Sequence, residues 1–359
     1  MQAQPNTAPM GITWFQGVIW TRTLAALVAT LLVLVATAGP ADAGKPDKGG
    51  GSKGGGGGVT YCGDLSGATT TLHDVNVAIG ADGFHKPKGK TAPIMGAGID
   101  VAVIDTGVNA VGIAGVVDGP DLSFDALEDN LRHRDLHGHG TNMAGIIATN
   151  TATEWGVAPG ARIINVTVGA ADGAVDVSQV IAGIDWVVEN RDANGMNIRV
   201  INLAYSTDAD VDYRSDPLTR AVENAWHNGI VVVAAGGNEG RNEHRLGNPA
   251  IDPYVIAVGG AGESDTAPDG WVVPNWSSTG DDVRDPDLVA PGAELLSLGV
   301  EGSYLADTYP NATCVGDDGL LRLRGSGTSQ AAAVVSGAAA MLLEQRPQLT
   351  PDQVKYLLT

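Results

Sequence analysis

Five short apolar runs rich in β-branched residues, at 99–104, 162–168, 199–203, 230–234 and 254–258, recur along the chain with helical patterns between them. Runs of that length, dominated by apolar and β-branched residues, read as strands buried on both faces, which is the condition of a parallel sheet. Parallel neighbours need a crossover, and the intervening segments supply it. Val177, Val180, Ile181, Ile184, Val187 and Val188 keep helical spacing, with Asp176 and Gln179 placed as a capping box. Leu218, Ala221, Val222, Ala225 and Trp226 do the same, with Asp216 as N-cap, Pro217 at the first helical position and Gly229 as the stop. The alternation predicts an α/β fold, a doubly wound, mostly parallel sheet flanked by helices. Such sheets bind ligands beyond the carboxyl ends of their strands, where Asp105 ends one run and Asn238 closely follows another.

The charge narrows the class of partner. With 21 basic and 41 acidic residues the net charge is −20, which excludes nucleic acid and anionic membrane surfaces as partners. Acidity reads first as a means of keeping an exported protein soluble, with calcium binding by some of the carboxylates as the functional alternative. A chain of 359 residues, 43% hydrophobic, has material for one large domain after its terminal segments are set aside.

Export is written at the amino end. Residues 24–38 are uncharged and apolar, Arg22 precedes them, and Ala41-Asp42-Ala43 forms a small-residue cleavage pattern before Gly44. The expectation is a signal peptide over 1–43 and a secreted protein; a second apolar patch at 11–20 leaves an uncleaved membrane anchor as the alternative. Translation from Met10 would give the signal a more usual length. Residues 44–58 are a glycine-rich linker, 59–95 an N-terminal extension, and 96–359 the main domain. Cys62 and Cys314 are the two cysteines, and an isolated pair in an oxidising compartment predicts a disulfide tying the extension to the main domain, against the alternative of two free thiols.

Three motifs stand in order: VIDTGV from Val103, HGHGTNMAG from His137 and GSGTSQAAAVVSG from Gly325. They bring an aspartate, a histidine and a serine, which a serine nucleophile, its general base and the base's orienting carboxylate require. Chemistry leaves His137 and His139 open as the base, and Ser326, Ser329 and Ser336 open as the nucleophile. A metal reading of Asp135, His137 and His139 is the alternative use of the middle motif.

Taken together, these motifs resemble those of the subtilisin-like serine proteases (subtilases, peptidase family S8), and GVAPGARI, VINLAYS, VVVAAGGNEG, YVIAVGG, NWSSTG and DLVAPG extend the likeness over roughly 96–358. The resemblance implies a subtilisin-like three-layer fold and a secreted serine endopeptidase working through an acyl-enzyme. It makes Asp105, His139 and Ser329 the catalytic residues, opens a helix at about Thr141, and maps the oxyanion asparagine onto Asn238. Ala204, Tyr205 and Ser206, with Gly236 and Gly237, fall on the substrate-binding segments; the first three stand where relatives commonly have Ser-Leu-Gly.

Other departures are Asn142 in place of a second histidine after Gly-Thr and Ala333 in place of the usual proline. The loop between the histidine motif and GVAP is short, so structural calcium is an open expectation without assigned metal ligands, Asp121 matching one ligand position only. No cofactor is required for the chemistry. The expected partners are peptide or protein substrates, and the expected state is a monomer. Rival readings are a silent subtilase-fold binding protein and an esterase or transpeptidase with the same triad. Residues 44–95 leave no space for a typical folded inhibitory prodomain, and the sequence stops before the closing segment relatives usually have, so truncation at the carboxyl end is an expectation too.

Overall fold

The computed structural model describes residues 60–128, 130–207, 212–241, 245–264, 270–281 and 283–359. The signal segment expected at 1–43 and the linker at 44–58 lie outside them. The extension comes first in the chain and forms α1 (Leu72–Ala78), opened by a Thr71–Asp74 capping box, and the short α2 (Asp82–His85).

Next come β1 (Asp100–Asp105), β2 (Val116–Asp121), α3 (His139–Ala148), β3 (Arg162–Thr167), α4 (Val177–Glu189), β4 (Ile198–Leu203), α5 (Pro217–His227), β5 (Val231–Ala235) and β6 (Ile256–Glu263). The main sheet runs β2-β3-β1-β4-β5-β6, all parallel. It continues through an antiparallel β7 (Trp271–Val272), while a parallel β8 (Leu288–Pro291) also pairs with β6. Every residue of β1 and β5 is buried, as strands covered on both faces must be.

The helical signals resolve into real caps. Asp176 and Gln179 close the capping box of α4, and Asp216 accepts from Leu218 and Thr219 N–H at the head of α5. α3 lies beside a long helix, α7 (Thr328–Gln345), which packs on β4, β5, β6 and β8; α4 and α5 pack together against β1 and β5. The chain closes with α8 (Pro351–Leu358), capped by Thr350 and Gln353.

A second, antiparallel sheet precedes α7. Its strands are β9 (Leu295–Leu298), β10 (Thr313–Val315) and β11 (Leu321–Gly325), in the order β10-β11-β9, with the short α6 (Tyr304–Thr308) between β9 and β10. The extension lies along both edges of this sheet: Tyr61 bridges Val315 and Thr70 bridges Leu295. Cys62 and Cys314 are bonded, 252 positions apart.

β1 has β3 on one side and β4 on the other, so the winding reverses there. Beyond the carboxyl ends of strands at such a reversal, here β1 and β4, is where doubly wound sheets bind their ligands.

Candidate active site

Asp105 ends β1 and is 7% exposed, so its carboxylate needs partners where it sits. Thr106 N–H donates to Oδ1 at 2.8 Å, and His139 Nδ1 lies 2.8 Å from Oδ1 and 3.0 Å from Oδ2. Burial pulls the His139 imidazole down, but the charge and hydrogen bond of Asp105, with Asp135 behind it, outweigh burial and hold its pKa above the ordinary 6.5.

His139 is the first residue of α3, two positions earlier than the expected start at about Thr141. Gly138 makes this entry possible: it is the N-cap at φ 98°, the left-handed region that favours glycine. Gly140 permits the close approach of helix to strand, since a Cβ there would run into the Gly107 carbonyl.

Asp135, 3% exposed, holds the whole entry together. It accepts from Thr106 Oγ1 at 2.9 Å, Gly138 N–H at 2.6 Å and Thr141 N–H at 2.8 Å, while Thr106 Oγ1 accepts from Gly140 N–H at 3.0 Å. Free amides of the first helical turn are thereby satisfied. Nothing in the motif spacing marked Asp135 as this anchor; an acid four residues before a helix start was its one signal. The metal reading of Asp135, His137 and His139 does not fit these contacts, because Asp135 and the His139 Nδ1 are already engaged. Among the described residues no group of three or more His, Cys, Asp and Glu is placed to hold a metal ion. Asp121 accepts from Ser123 and His133 instead.

His137 is 4% exposed and stacks on Tyr304, ring centroids 5.4 Å apart. Burial and the nearby His139 push its pKa down to about 4 against the pull of Asp105 and Asp172. It stays neutral near pH 7, and among the described residues it makes no hydrogen bond to a carboxylate like that of His139. Asn142 donates to Leu298 O and Leu323 O, tying α3 to β9 and β11.

Ser329 is the second residue of α7 and is partly exposed. The helix dipole favours negative charge at that point. Its Oγ donates to Ala204 O at 3.4 Å. No hydrogen bond joins it to His139 in this resting geometry; such bonds are commonly long until substrate binds. Ser336 is buried inside the helix against Asn202, and Ser326 lies in the preceding loop. Ala333 is fully buried, and α7 runs through it unbroken.

Asn238 lies just beyond β5. Its Oδ1 accepts from Thr328 N–H at 2.8 Å and Thr328 Oγ1 at 3.1 Å. Those donors fix which way the amide faces, leaving Nδ2 with no hydrogen bond among the described residues. Thr328, the residue before Ser329, thus orients Asn238, a role hidden in the sequence.

The other expected site residues divide. Gly236 N–H donates to Val258 O, Gly236 O accepts from Gly247, Gly237 N–H donates to Thr328 Oγ1 and Gly237 O accepts from Ser278. Both glycines therefore offer wall rather than hydrogen bonds. Tyr205 and Ser206 are half-buried, and their backbone groups make no hydrogen bond among the described residues, an open edge beyond β4. Burial, with Asp176 nearby, pushes the Tyr205 phenol up to about 12, so it remains protonated.

Comparison with known proteins follows the same lines. The subtilase family model matches residues 96–359. Serine protease AprX of Bacillus subtilis is 35% identical over 277 residues, covering 74% of this chain and 61% of AprX. Subtilisin DY of Bacillus licheniformis is 31% identical over 275 residues, covering 74% of this chain and 83% of that protein. The solved structure of sphericase superposes at a TM-score of 0.62 with 26% identity, covering 78% of this chain and 87% of that one. With this match along the sequence and a sheet of the same architecture, the chain belongs to the subtilase family.

Proposed function

We propose that the protein is a secreted serine endopeptidase that cleaves peptide bonds through an acyl-enzyme on Ser329. The observation that carries this reading is the Asp105–His139 contact at the end of β1, beside the start of α7 where Thr328 aims the Asn238 amide. A substrate strand pairs with the open backbone at Tyr205 and Ser206, alongside Ala204, with Gly236 and Gly237 in the wall. Ser329 Oγ attacks the scissile carbonyl carbon, and His139 Nε2 takes its proton. Asp105 holds the Nδ1–H and stabilises the imidazolium. The oxyanion receives hydrogen bonds from Asn238 Nδ2 and Ser329 N–H. His139 then protonates the departing amine, and the same base activates the water that releases the acid.

In this reading residues 1–43 are removed as a signal peptide, 44–58 are a linker, and 59–95 extend the peptidase domain at 96–359. Among the described residues no helix is long and apolar enough to cross a membrane. The enzyme acts as a monomer. The test is a serine-directed fluorophosphonate on the exported protein, with the adduct mapped by peptide mass. Label on Ser329, and a loss of about 10⁶ in kcat for Ser329→Ala or His139→Ala, is expected, the size that such replacements cause in subtilisin. Label on Ser326, or turnover surviving in Ser329→Ala, overturns the assignment.

A further inference from the structure

The segment 60–71 of the extension is a strap across the small sheet that delivers α7, and its contacts converge on one side chain. Arg324 Nη1 donates to Ser66 O at 2.8 Å, to Ala68 O at 2.9 Å and to Thr69 Oγ1 at 3.2 Å. Its Nε lies 3.3 Å from the carboxylate of Glu294, and the Arg324 side chain is 14% exposed. Glu294 is the next link. Its φ of 52° is one a non-glycine residue holds only when its surroundings impose it. Thr70 N–H donates to Glu294 O at 2.8 Å, Glu294 N–H donates to Ser326 Oγ at 2.8 Å, and Ser326 Oγ donates to Glu294 Oε1 at 3.2 Å. The chain of contacts therefore runs from the strap through Arg324 and Glu294 to Ser326, three residues before Ser329. At its other end the strap is locked by the Cys62–Cys314 bond and by Val315 N–H donating to Thr60 O at 2.8 Å.

We propose that Arg324 is a positioning residue through which the disulfide-locked strap sets the Ser329 loop, so that turnover depends on the state of the Cys62–Cys314 bond. The inference rests on the reading of Ser329 as nucleophile. Reduction by a dithiol breaks the sulfur–sulfur bond, leaves a thiol on each cysteine and oxidises the reagent to its own disulfide. The strap is then held at its Cys62 end by hydrogen bonds alone, only its other end staying anchored through the buried Leu72 and Val75 of α1, and its grip on Arg324 weakens. Small displacement of a nucleophile is expensive, since misplacement by about 1 Å costs a rate of order 10². Substrate contacts at Tyr205 and Ser206 lie on another element and are left in place.

The experiment uses the full exported chain, oxidised, at 25 °C, with near-ultraviolet circular dichroism as the fold control. Turnover of a chromogenic peptide is referred to active sites titrated by the fluorophosphonate. Arg324→Gln and Ser326→Ala should each lower kcat and the labelling rate by about 10- to 100-fold with KM within about twofold, and Arg324→Lys should recover part of the loss. Dithiol should lower kcat of the wild type but add little to Arg324→Gln, because both cut one chain of contacts. Ser326→Ala leaves the strap docked and serves if Arg324→Gln does not fold. Unchanged kcat per titrated site in the variants, or losses from reduction and Arg324→Gln that simply multiply, overturns the inference alone. Wild-type protein that neither takes the label nor cleaves peptide overturns the reading of Ser329 and this inference with it.

Discussion

The two sides of the site are held by different means. On the side of Asp105 and His139, a fully buried strand and a glycine-lined helix entry fix the geometry, with Asp135 gathering amide donors beneath it. On the side of Ser329, α7 is well packed, but the loop entering it leaves a small antiparallel sheet pinned by a strap, one arginine and a disulfide. The strand of the first side sits in a close-packed interior. The second side hangs on a few polar contacts and one covalent bond. Damage on the first side should therefore abolish chemistry while the fold stands, and damage on the second should reach stability and rate together.

The sharpest way to break that contrast lies at Asp105. Asp105→Asn keeps the shape but offers His139 the wrong hydrogen-bonding partner, so kcat should fall by about 10⁴, near the loss known for the corresponding change in trypsin. The pH profile gives the sign. His139 works as a base only when neutral, so activity disappears as pH falls through its pKa, which Asp105 holds above 6.5. Removing that charge leaves burial dominant, and the acid limb of kcat/KM should move to lower pH. An acid limb that stays in place would show that Asp105 does not govern His139.

Replacing Cys62 and Cys314 together by serine tests the other side. Opening a cross-link between positions 252 apart should cost up to about 5 kcal/mol by the chain-entropy model, read by urea denaturation. A loss below about 1 kcal/mol would mean the strap is held by its hydrogen bonds alone, and the contrast between the two sides would shrink.

The same division explains what could be read from sequence. Runs such as 101–104 and 230–234 announce themselves because every position is apolar, and Asp176, Asp216 and their partners mark helix starts within a few residues of chain. β2 hid because its sequence VVDGPD is half-exposed and neither alternates nor runs apolar. β9 to β11 are three to five residues each and derive their stability from one another and from the strap. The residues proposed as the triad were nominated by a resemblance of motifs. Their supports were not: Asp135 collects donors from separate positions, Thr328 faces Asn238 across 90 residues, and Arg324 meets Ala68 across 256. Contacts of that reach leave no local pattern.

Asn238 joins the two sides, since it hangs from the main sheet and is aimed by Thr328 of α7. Its proposed hydrogen bond exists only once the oxyanion forms, so Asn238→Ala should lower kcat by about 10² to 10³ with little change in KM, the range found for subtilisin's own asparagine. Steady-state kinetics on one peptide checks this. A rise in KM at constant kcat would instead make Asn238 a ground-state contact.

The smallest effect concerns a charge that neither kind of packing serves. Asp252 is fully buried, and its Oδ1 accepts from Tyr254 N–H at 2.8 Å while Oδ2 has no hydrogen-bond partner among the described residues. The neighbouring cations are engaged elsewhere: Arg284 and Lys355 both pair with Asp287, at 2.7 Å and 3.0 Å. Burial, with Glu223 adding to it, pushes the Asp252 carboxyl up to about 6 from its ordinary 3.8 despite Tyr254, Arg284 and Lys355. The folded protein therefore binds this proton more tightly than the unfolded chain, and stability falls as pH rises between those two values. By pH 7 the buried charge costs about 3 kcal/mol. Asp252→Asn does not titrate, so its stability relative to wild type should grow by about 2 kcal/mol from pH 4 to pH 7, on top of a pH-independent offset set by its unpaired amide. Urea denaturation at pH 4, 5, 6 and 7 reads the difference. A difference independent of pH would show that the Asp252 carboxylate is paired in solution, and that this corner of the sheet is clamped by charge in the way the strap clamps β11.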